Sequence, residues 1–314
     1  MVIIDGHTDS ILDVHHGRRD FFERSQDGHV DLPRLKQAGV GAVMLALFTT
    51  DEYVAEATAH TRELLATFDR LVTAGRGLVH ARTASEIEQA VSDGRIAAFL
   101  TIEGGEAIGT NLDTLHEFFD RGVRLMTLTW NRRNAIGRGV YVDGEDGLSE
   151  FGRDVVREME QIGMIVDVSH LCDRTLSDVL SVAARPLVAS HSNSRVLRNH
   201  PRNLTDDQLR AIAERGGLIG LTFAGSFIDT PPGNVTIGRV LDHLERMIDV
   251  AGIDHIGIGS DFDGFDVSYG LAMPDCTGLS LIATGMVERG YTEVEIEKVM
   301  GRNWLRVIRD VVGD

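Results

Sequence analysis

The feature that most restricts the fold of this chain is a repeated alternation of short apolar runs with segments of helical periodicity. Eight such runs occur, and they are continuous and often β-branched, as strands buried on both faces should be. They lie at residues 2–5, 41–48, 96–102, 123–130, 164–169, 186–190, 218–223 and 255–260. Eight strands that alternate with helices predict an α/β fold, a (β/α)8 or TIM barrel.

A doubly wound open sheet is the alternative to a barrel, and it usually carries a glycine-rich turn after its first strand. The stretch DGHTDS that follows the first run is not such a turn. We therefore expect one barrel domain over residues 1–314, with a long helix over 292–311 that closes the barrel or packs beside it. Residues 11–30 are polar and are expected to form an extended loop after strand one.

Several helix starts are marked by capping boxes, in which a threonine is followed three residues later by Glu or Gln. The pattern occurs at Thr83–Glu86, Thr205–Gln208 and Thr292–Glu295.

The charge of the chain restricts its partners. The formal net charge is -17, which disfavours nucleic acid and anionic membrane surfaces because their phosphates would be repelled. No run approaches the roughly 20 apolar residues that a membrane helix needs.

The two cysteines imply no disulfide framework, and the N-terminal residues lack the pattern of a signal peptide. These features predict a cytoplasmic protein.

Histidine, aspartate and glutamate residues follow the predicted strands at the ends where a barrel carries its active site. The strand ends present His7, Asp9, Glu103, His170, His191 and Asp261. His7 and Asp9 are two residues apart, so an extended backbone would point both side chains the same way. We expect all six groups to converge on one mouth of the barrel.

A single histidine or carboxylate at a strand end is more often a structural residue than a ligand. Six such groups at five strand ends are hard to explain structurally, and imidazole with carboxylate is a ligand set that suits zinc, with other divalent transition ions possible. Glu103 has two oxygens and could bridge two ions. Asp261 could be a weak ligand or a base. The remaining histidines are expected to be surface or packing residues, and of these only His15 and His16 could also line the mouth.

Seven motifs together resemble the membrane (renal) dipeptidase family, metallopeptidases of peptidase family M19 with an amidohydrolase-type, metallo-dependent hydrolase barrel. In chain order they are IDGHTDS, HVDLPRLKQAGVGA, IEGGEAI, TLTWNRRN, DVSHL, SHSNSR with HPRNLTDDQL, and GIGSDFDG. The resemblance covers nearly the whole chain.

This resemblance implies two zinc ions. His7 and Asp9 match the ligands of one ion, His170 and His191 match those of the other, and Glu103 matches the carboxylate that bridges them. Asp261 matches the acid beside a bridging hydroxide, which carries a proton to the leaving amine. Arg202 matches an arginine that binds the carboxylate of the substrate.

The chain departs from the family at one position. The animal dipeptidases carry a histidine after TLT, whereas this chain has Trp130, followed by Asn131. Asn131 or Asn134 could supply a hydrogen bond in place of the histidine. The departure leaves the predicted metal chemistry intact and opens the question of the substrate.

The predicted function is therefore a dinuclear zinc dipeptidase, with a dipeptide of the form L-Xaa-D-Xaa as a plausible substrate and a homodimer as a possible assembly. A related amidohydrolase that cleaves N-acyl amino acids or another amide is the alternative, and Trp130 motivates it. A metal-dependent binding protein without turnover is a third hypothesis. Asp261 argues against it, because a binding site has no need of a base.

Overall fold

A computed structural model of the chain describes residues 2–230 and 235–314. Its nine parallel strands are β1 Ile3–Thr8, β2 Val40–Phe48, β3 Leu78–His80, β4 Ile96–Glu103, β5 Val123–Thr127, β6 Ile165–Asp167, β7 Val188–Ala189, β8 Leu218–Leu221 and β9 Ile256–Ile258. Pairing runs from β2 through β1, β9, β8, β7, β6 and β5 to β4, and β4 pairs back with β2. The sheet is thus a closed barrel of eight parallel strands, as the sequence predicts.

The helices follow the strands around the outside of the barrel. They are α1 Ser10–His15, α2 Leu32–Ala38, α3 Ala57–Thr73, α4 Ala84–Ser92, α5 Leu112–Asp120, α6 Glu150–Ile162, α7 Asp173–Val182, α8 Asp206–Ala213, α9 Gly225–Ile228, α10 Ile237–Ala251, α11 Ser280–Glu288, α12 Glu293–Glu297 and α13 Asn303–Val311. Short 3-10 turns lie at Asp51–Glu56, Gly105–Ile108, Ile253–His255, Val267–Tyr269 and Cys276–Leu279.

All eight predicted strands are barrel strands, but the strand β3 is absent from the prediction. It has three residues and pairs only with the start of β4, where Leu78 faces Ile96. A run this short gives no periodicity to recognise. The predicted end of β5 at residue 130 is also wrong, because the regular strand stops at Thr127.

The expected loop over residues 11–30 needs a correction. Its first part is helix α1, which begins at Ser10, directly after Asp9. Ile11 is fully buried, and Leu12 and Val14 pack partly buried against the same core, so the apolar residues of this segment fold its start against the barrel. Helix α1 therefore starts at the mouth of the barrel.

The capping boxes predicted at Thr205 and Thr292 are confirmed, with both reciprocal hydrogen bonds formed. At Thr83 the box is only half formed. The Thr83 side chain accepts from the backbone N–H of Glu86, while the Glu86 carboxylate accepts from the N–H of Arg82 instead.

The C-terminal segment is helical as predicted, although it is not one regular helix. A π-helical turn, Lys298–Arg302, separates α12 from α13. Trp304 at the start of α13 is fully buried in a cluster with barrel residues such as Met44 and Phe99. A Cβ atom on Gly6 would lie 2.0 Å from the indole of Trp304, so glycine in β1 makes room for the ring.

Within the described residues, no helix combines the length and the apolar character needed to cross a bilayer.

Candidate metal centre

The six strand-end groups predicted from the sequence lie together in the structure. His7 belongs to β1, Glu103 is the last residue of β4, and the other four side chains follow the ends of β1, β6, β7 and β9. Each of the six is at most 7% exposed. Because the strands are parallel, their carboxyl ends open at the same mouth of the barrel. Barrel closure therefore gathers groups that are far apart along the chain.

Glu103 lies between two sets of histidines. One carboxylate oxygen, Oε1, is 2.8 Å from Nε2 of His170 and 3.6 Å from Nε2 of His191. The other oxygen, Oε2, is 3.7 Å from Nε2 of His7. The two oxygens of this single carboxylate thus face different imidazoles.

The remaining groups complete the two sides of Glu103. His7 Nε2 lies 3.5 Å from Asp9 Oδ2 and 4.0 Å from Asp261 Oδ1. On the other side, His170 Nε2 and His191 Nε2 are 2.8 Å apart. Three overlapping sets of three residues have all their ligand atoms within 4.8 Å of one another: His7 with Asp9 and Glu103, Glu103 with His170 and His191, and His7 with His191 and Asp261.

Buried polar atoms without partners indicate that the donor set fits a cation. Within the described chain, both ring nitrogens of His7 lack a hydrogen-bond partner, and so does Oδ1 of Asp9. Unpaired buried polar groups of this kind cost about 1–3 kcal/mol each, so they are rare unless something compensates them. Lone pairs of imidazole and carboxylate that face a common space are the ligands that a divalent transition metal uses.

The protonation of the carboxyl groups points to the same conclusion. Burial, assisted by the charge of Asp9, raises the pKa of Glu103 to about 8. Burial also raises the pKa of Asp261 to about 7. A cation placed among these carboxyl groups would favour their charged forms and so lower both pKa values.

The histidines fall into two classes. Burial opposes the charged form of His7, but the carboxylates of Glu103 and Asp9 outweigh this effect and raise its pKa well above 6.5. Burial lowers the pKa of His170 and of His191 well below 6.5, and the charge of Arg202 adds to this effect. The latter two imidazoles are therefore neutral at neutral pH, the form that binds a metal.

Neighbouring side chains hold the two neutral imidazoles in place. Nδ1 of His170 is 2.8 Å from Oδ1 of Asn131, an acceptor, so this nitrogen carries the proton and leaves Nε2 free. Nδ1 of His191 is 2.8 Å from the hydroxyl of Ser190, which donates to Asp167 Oδ2 at 2.6 Å. Such outer contacts orient metal-binding imidazoles.

A cavity of about 520 Å³ opens above the six groups. Aromatic rings form part of its wall, and Trp130 packs against Phe48 with 5.1 Å between ring centroids. A basic side of the wall is formed by Arg198 and Arg202, next to His200.

Arg202 is the buried member of this basic wall, at 3% exposure. Its Nη2 donates to the backbone carbonyl of His191 at 3.4 Å, and its guanidinium lies 5.3 Å from the ring centroid of Phe227. Its Nε has no hydrogen-bond partner among the described residues. A buried guanidinium with free donor capacity beside an open cavity is arranged to receive an anionic group.

Sequence reasoning missed several residues of this site. His200, expected to be a surface or packing residue, lines the cavity together with Tyr141 and Arg198, whereas His15 and His16 do not line it. The residues that orient the imidazoles, Ser190 and Asp167, were also missed. Asp167 did leave a signal, since a carboxylate inside the apolar run MIVDVS needs a buried partner.

Comparison with known proteins agrees with this geometry. The family model described as membrane dipeptidase, peptidase family M19, matches residues 1–312. The chain is 32% identical over 311 residues to a protein named dipeptidase tcpJ from Claviceps purpurea, which covers 93% of this chain and 72% of that protein.

Two crystal structures extend the similarity over the full length. One, described as dipeptidase AC, a metallopeptidase of family M19, has a TM-score of 0.93 and 32% identity, covering 100% of this chain and 99% of the other. The second is a metallopeptidase from Rhodobacter sphaeroides liganded with a phosphinate mimic of L-Ala-D-Ala. It has a TM-score of 0.91 and 31% identity, with 99% of both chains covered. The chain therefore belongs to the membrane dipeptidase family, peptidase family M19, and is a metallodipeptidase.

Proposed function

We propose that this protein is a dinuclear zinc dipeptidase that hydrolyses dipeptides with a D-residue at the C-terminal position. The observation that carries the proposal is the position of Glu103. Its Oε1 faces His170 and its Oε2 faces His7, at 2.8 and 3.7 Å from the respective Nε2 atoms. A carboxylate whose oxygens face two separate imidazole groups is suited to bridge two cations rather than to bind one.

The two ligand sets differ in composition. His7 and Asp9 would hold one ion, His170 and His191 would hold the other, and Glu103 would contact both. Their mixture of imidazole and carboxylate suits zinc, with other divalent transition ions as substitutes. When bound, the pair of ions would lower the pKa of a shared water, so that hydroxide is available near neutral pH, and would polarise the scissile carbonyl.

Asp261 is the proposed proton carrier. Hydrolysis adds water across the amide: a C–O bond forms, the C–N bond breaks, and the departing nitrogen must receive a proton. The carboxylate of Asp261 lies beside His7 at the edge of the cavity, where it can accept the proton of the attacking water and give it to the amine. Its raised pKa, about 7 in the metal-free protein, reflects the same burial that keeps it away from bulk solvent.

Arg202 is the proposed anchor of the substrate. Its buried guanidinium borders the same cavity as Glu103 and Asp261, so a free C-terminal carboxylate bound there would place the peptide bond towards the carboxyl cluster. The preference for a D-residue is supported by the Rhodobacter sphaeroides relative, which is 31% identical and was crystallised with a mimic of L-Ala-D-Ala.

The test is hydrolysis of a matrix of L-L, L-D and D-L dipeptides by zinc-loaded enzyme, with bound zinc measured on the same samples. Glu103→Gln is the matched variant, because it keeps the size of the side chain and removes its charge. We expect turnover of L-D dipeptides with two zinc ions bound in the barrel centre of the wild type, and loss of turnover and of these two ions in the variant.

The outcomes separate the alternatives. Two zinc ions without turnover of any dipeptide, together with turnover of N-acyl amino acids, would mean that Trp130 marks a change of substrate within the amidohydrolases. A single zinc ion per chain in active wild-type enzyme would contradict the dinuclear proposal.

A further inference from the structure

A second group of potential metal ligands lies on the outside of the barrel. His15 is the last residue of α1, and His60 and Glu63 lie on consecutive turns of α3. Glu63 Oε2 is 4.0 Å from Nε2 of His15 and 4.0 Å from Nδ1 of His60. The three ligand atoms all lie within 4.8 Å of one another. None of these residues borders the cavity above Glu103.

His60 is the unexplained member of this group. It is 2% exposed, yet neither of its ring nitrogens has a hydrogen-bond partner among the described residues. Tyr53 stacks on one face of the ring, with 4.0 Å between centroids and an interplanar angle of 7°. An imidazole that is buried by stacking and has both nitrogens unpaired lacks the compensation that buried polar groups normally have.

The hydrogen bonds of His15 prepare its Nε2 to act as a ligand. Its Nδ1 is 2.9 Å from the hydroxyl of Thr67, and that hydroxyl donates its own proton to the carbonyl of Glu63 at 3.2 Å. In that arrangement Thr67 accepts from His15, which places the imidazole proton on Nδ1 and the lone pair on Nε2. This is the arrangement in which metal-binding histidines are usually held.

We propose that His15, His60 and Glu63 form a further divalent transition-metal site, selective for ions such as Zn²⁺ that accept imidazole and carboxylate ligands. Zinc–ligand bonds of about 2.0–2.2 Å require donor atoms somewhat closer than they are here, and the side chain of Glu63, which is 67% exposed, is free to rotate inwards. Water would occupy the fourth position.

Both imidazoles of the site are held in the neutral form that binds a metal. Burial lowers the pKa of His15, and the neighbouring His16 adds to the effect. Burial likewise lowers the pKa of His60, with His15 adding to it. Both imidazoles are neutral at neutral pH, so an incoming cation displaces no proton from either ring.

An ion at this position would connect α1 to α3. Helix α1 follows Asp9 directly, and its six residues span about 9 Å along the helix axis. The proposed ion and Asp9 thus lie at opposite ends of α1. The ion would therefore hold the C-terminal end of α1 against α3, while the N-terminal end of α1 lies at the mouth of the barrel. We expect it to stabilise the folded protein, because it binds side chains that only the folded chain brings together.

In the test, metal-free protein is incubated with zinc in small molar excess. Free metal is then removed, and the zinc content of the protein is measured. His15→Asn keeps a hydrogen-bond donor towards Thr67, and Glu63→Gln changes an exposed side chain, so both variants should fold. His116→Asn is the matched control, because His116 is also on a helix near a glutamate, Glu158, at 2.9 Å. We expect one zinc fewer per chain in the first two variants and no change in the control.

Two further measurements make the result decisive. Crystals of the wild type grown with the same zinc supply should show an anomalous zinc peak about 2 Å from His15 Nε2 and from a ring nitrogen of His60. The Glu103→Gln variant should keep this peak, which separates the site from the proposed centre in the barrel. Equal zinc content in wild type and His15→Asn, or a peak that appears only in concentrated zinc soaks, would overturn the proposal.

Discussion

At the scale of single residues, left-handed backbone conformations mark the site. Three non-glycine residues of the described chain have φ in this region: His170 at 68°, Asp261 at 64° and Asp263 at 70°. Such conformations cost an L-residue about 1–3 kcal/mol and persist only where the surrounding structure enforces them. Two of the three belong to the six strand-end groups. The strain is thus concentrated where side chains leave the strand direction to face the mouth.

Arg202 provides the first prediction. In Arg202→Lys the charge stays but the forked donor geometry is lost, so a bound carboxylate loses a charge-assisted hydrogen bond of about 1.5–3 kcal/mol. We expect KM for dipeptides to rise roughly 10- to 100-fold, with kcat changed much less. Steady-state kinetics will measure both, and Arg62→Lys, a change in an exposed forked pair with Glu117, is the control. A fall in kcat at constant KM would contradict the anchoring role.

At the scale of elements, the loop after β9 supports the site by close packing. A Cβ atom on Gly264 would lie 2.1 Å from Asp9 Oδ2 and 2.6 Å from Asp261 Oδ1. Only glycine leaves both carboxyl groups where they are. The loop is further fixed by Asp263, which accepts from Arg19, from Ser10 at 2.6 Å and from the N–H of His29 at 2.5 Å.

We therefore predict that Gly264→Ala displaces both carboxyl groups and lowers kcat/KM at least 10-fold, in line with the sensitivity of catalysis to small misplacements. The loss should appear together with weaker zinc retention on dialysis. Gly238→Ala is the matched control, because a Cβ there would meet only Thr236 Oγ1, at 3.8 Å. If Gly264→Ala retained full activity and zinc, the packing argument would be wrong.

The C-terminal helix α13 supplies the third prediction. Trp304 is fully buried, and its Nε1 donates to the carbonyl of Ile258 at 2.7 Å. Trp304→Ala removes this contact and leaves a cavity under the barrel, so the free energy of unfolding should fall by about 3–5 kcal/mol. Urea denaturation measures the change. Trp130→Ala, at the partly exposed cavity wall, should cost far less stability and should alter substrate preference instead.

At the scale of the whole molecule, the buried charges couple stability to pH. In the metal-free protein burial raises the pKa of Glu103 to about 8 and that of Asp261 to about 7. Both groups ionise at lower pH when the chain is unfolded, so rising pH favours unfolding until the folded-state pKa is passed. His7 acts in the same direction above pH 6.5, since its pKa is raised in spite of burial. The pKa values of His170 and His191 are lowered, so these two groups affect stability only below pH 6.5.

The fourth prediction is that chelator-treated protein loses stability between pH 6.5 and about pH 8, by an amount on the order of 2 kcal/mol from Glu103 alone. Urea denaturation at the two pH values measures this loss. Zinc should reverse the trend, because it binds the deprotonated carboxylates. The Glu103→Gln variant without metal should show a flatter dependence. A metal-free wild type that gains stability across this interval would contradict the assignment of these carboxyls as buried.

Assembly and location remain predictions. The sequence suggests a homodimer and a cytoplasmic location. The net charge of -17 still disfavours nucleic acid as a partner.

The barrel and the chemistry of its mouth follow from the pattern of residues along the chain. Parallel strands buried on both faces must be continuous apolar runs, so the histidines and carboxylates at the ends of five of the eight runs were visible as exceptions. Recognition of Arg202 required the family resemblance, because a lone arginine in a loop carries no such signal. The short strand β3 and the early helix α1 were missed because three residues of strand and six of helix are too few to show a period.

Which polar groups come into contact depends on the folded arrangement of the strands and helices. Barrel closure sets the distances between side chains on different strands, and these distances place Glu103 between His7 and His170. Asn131 reaches His170 from a loop 39 positions away, and His60 meets His15 across two helices. Such contacts depend on the crossing of elements and on left-handed backbone conformations, which local sequence patterns do not encode.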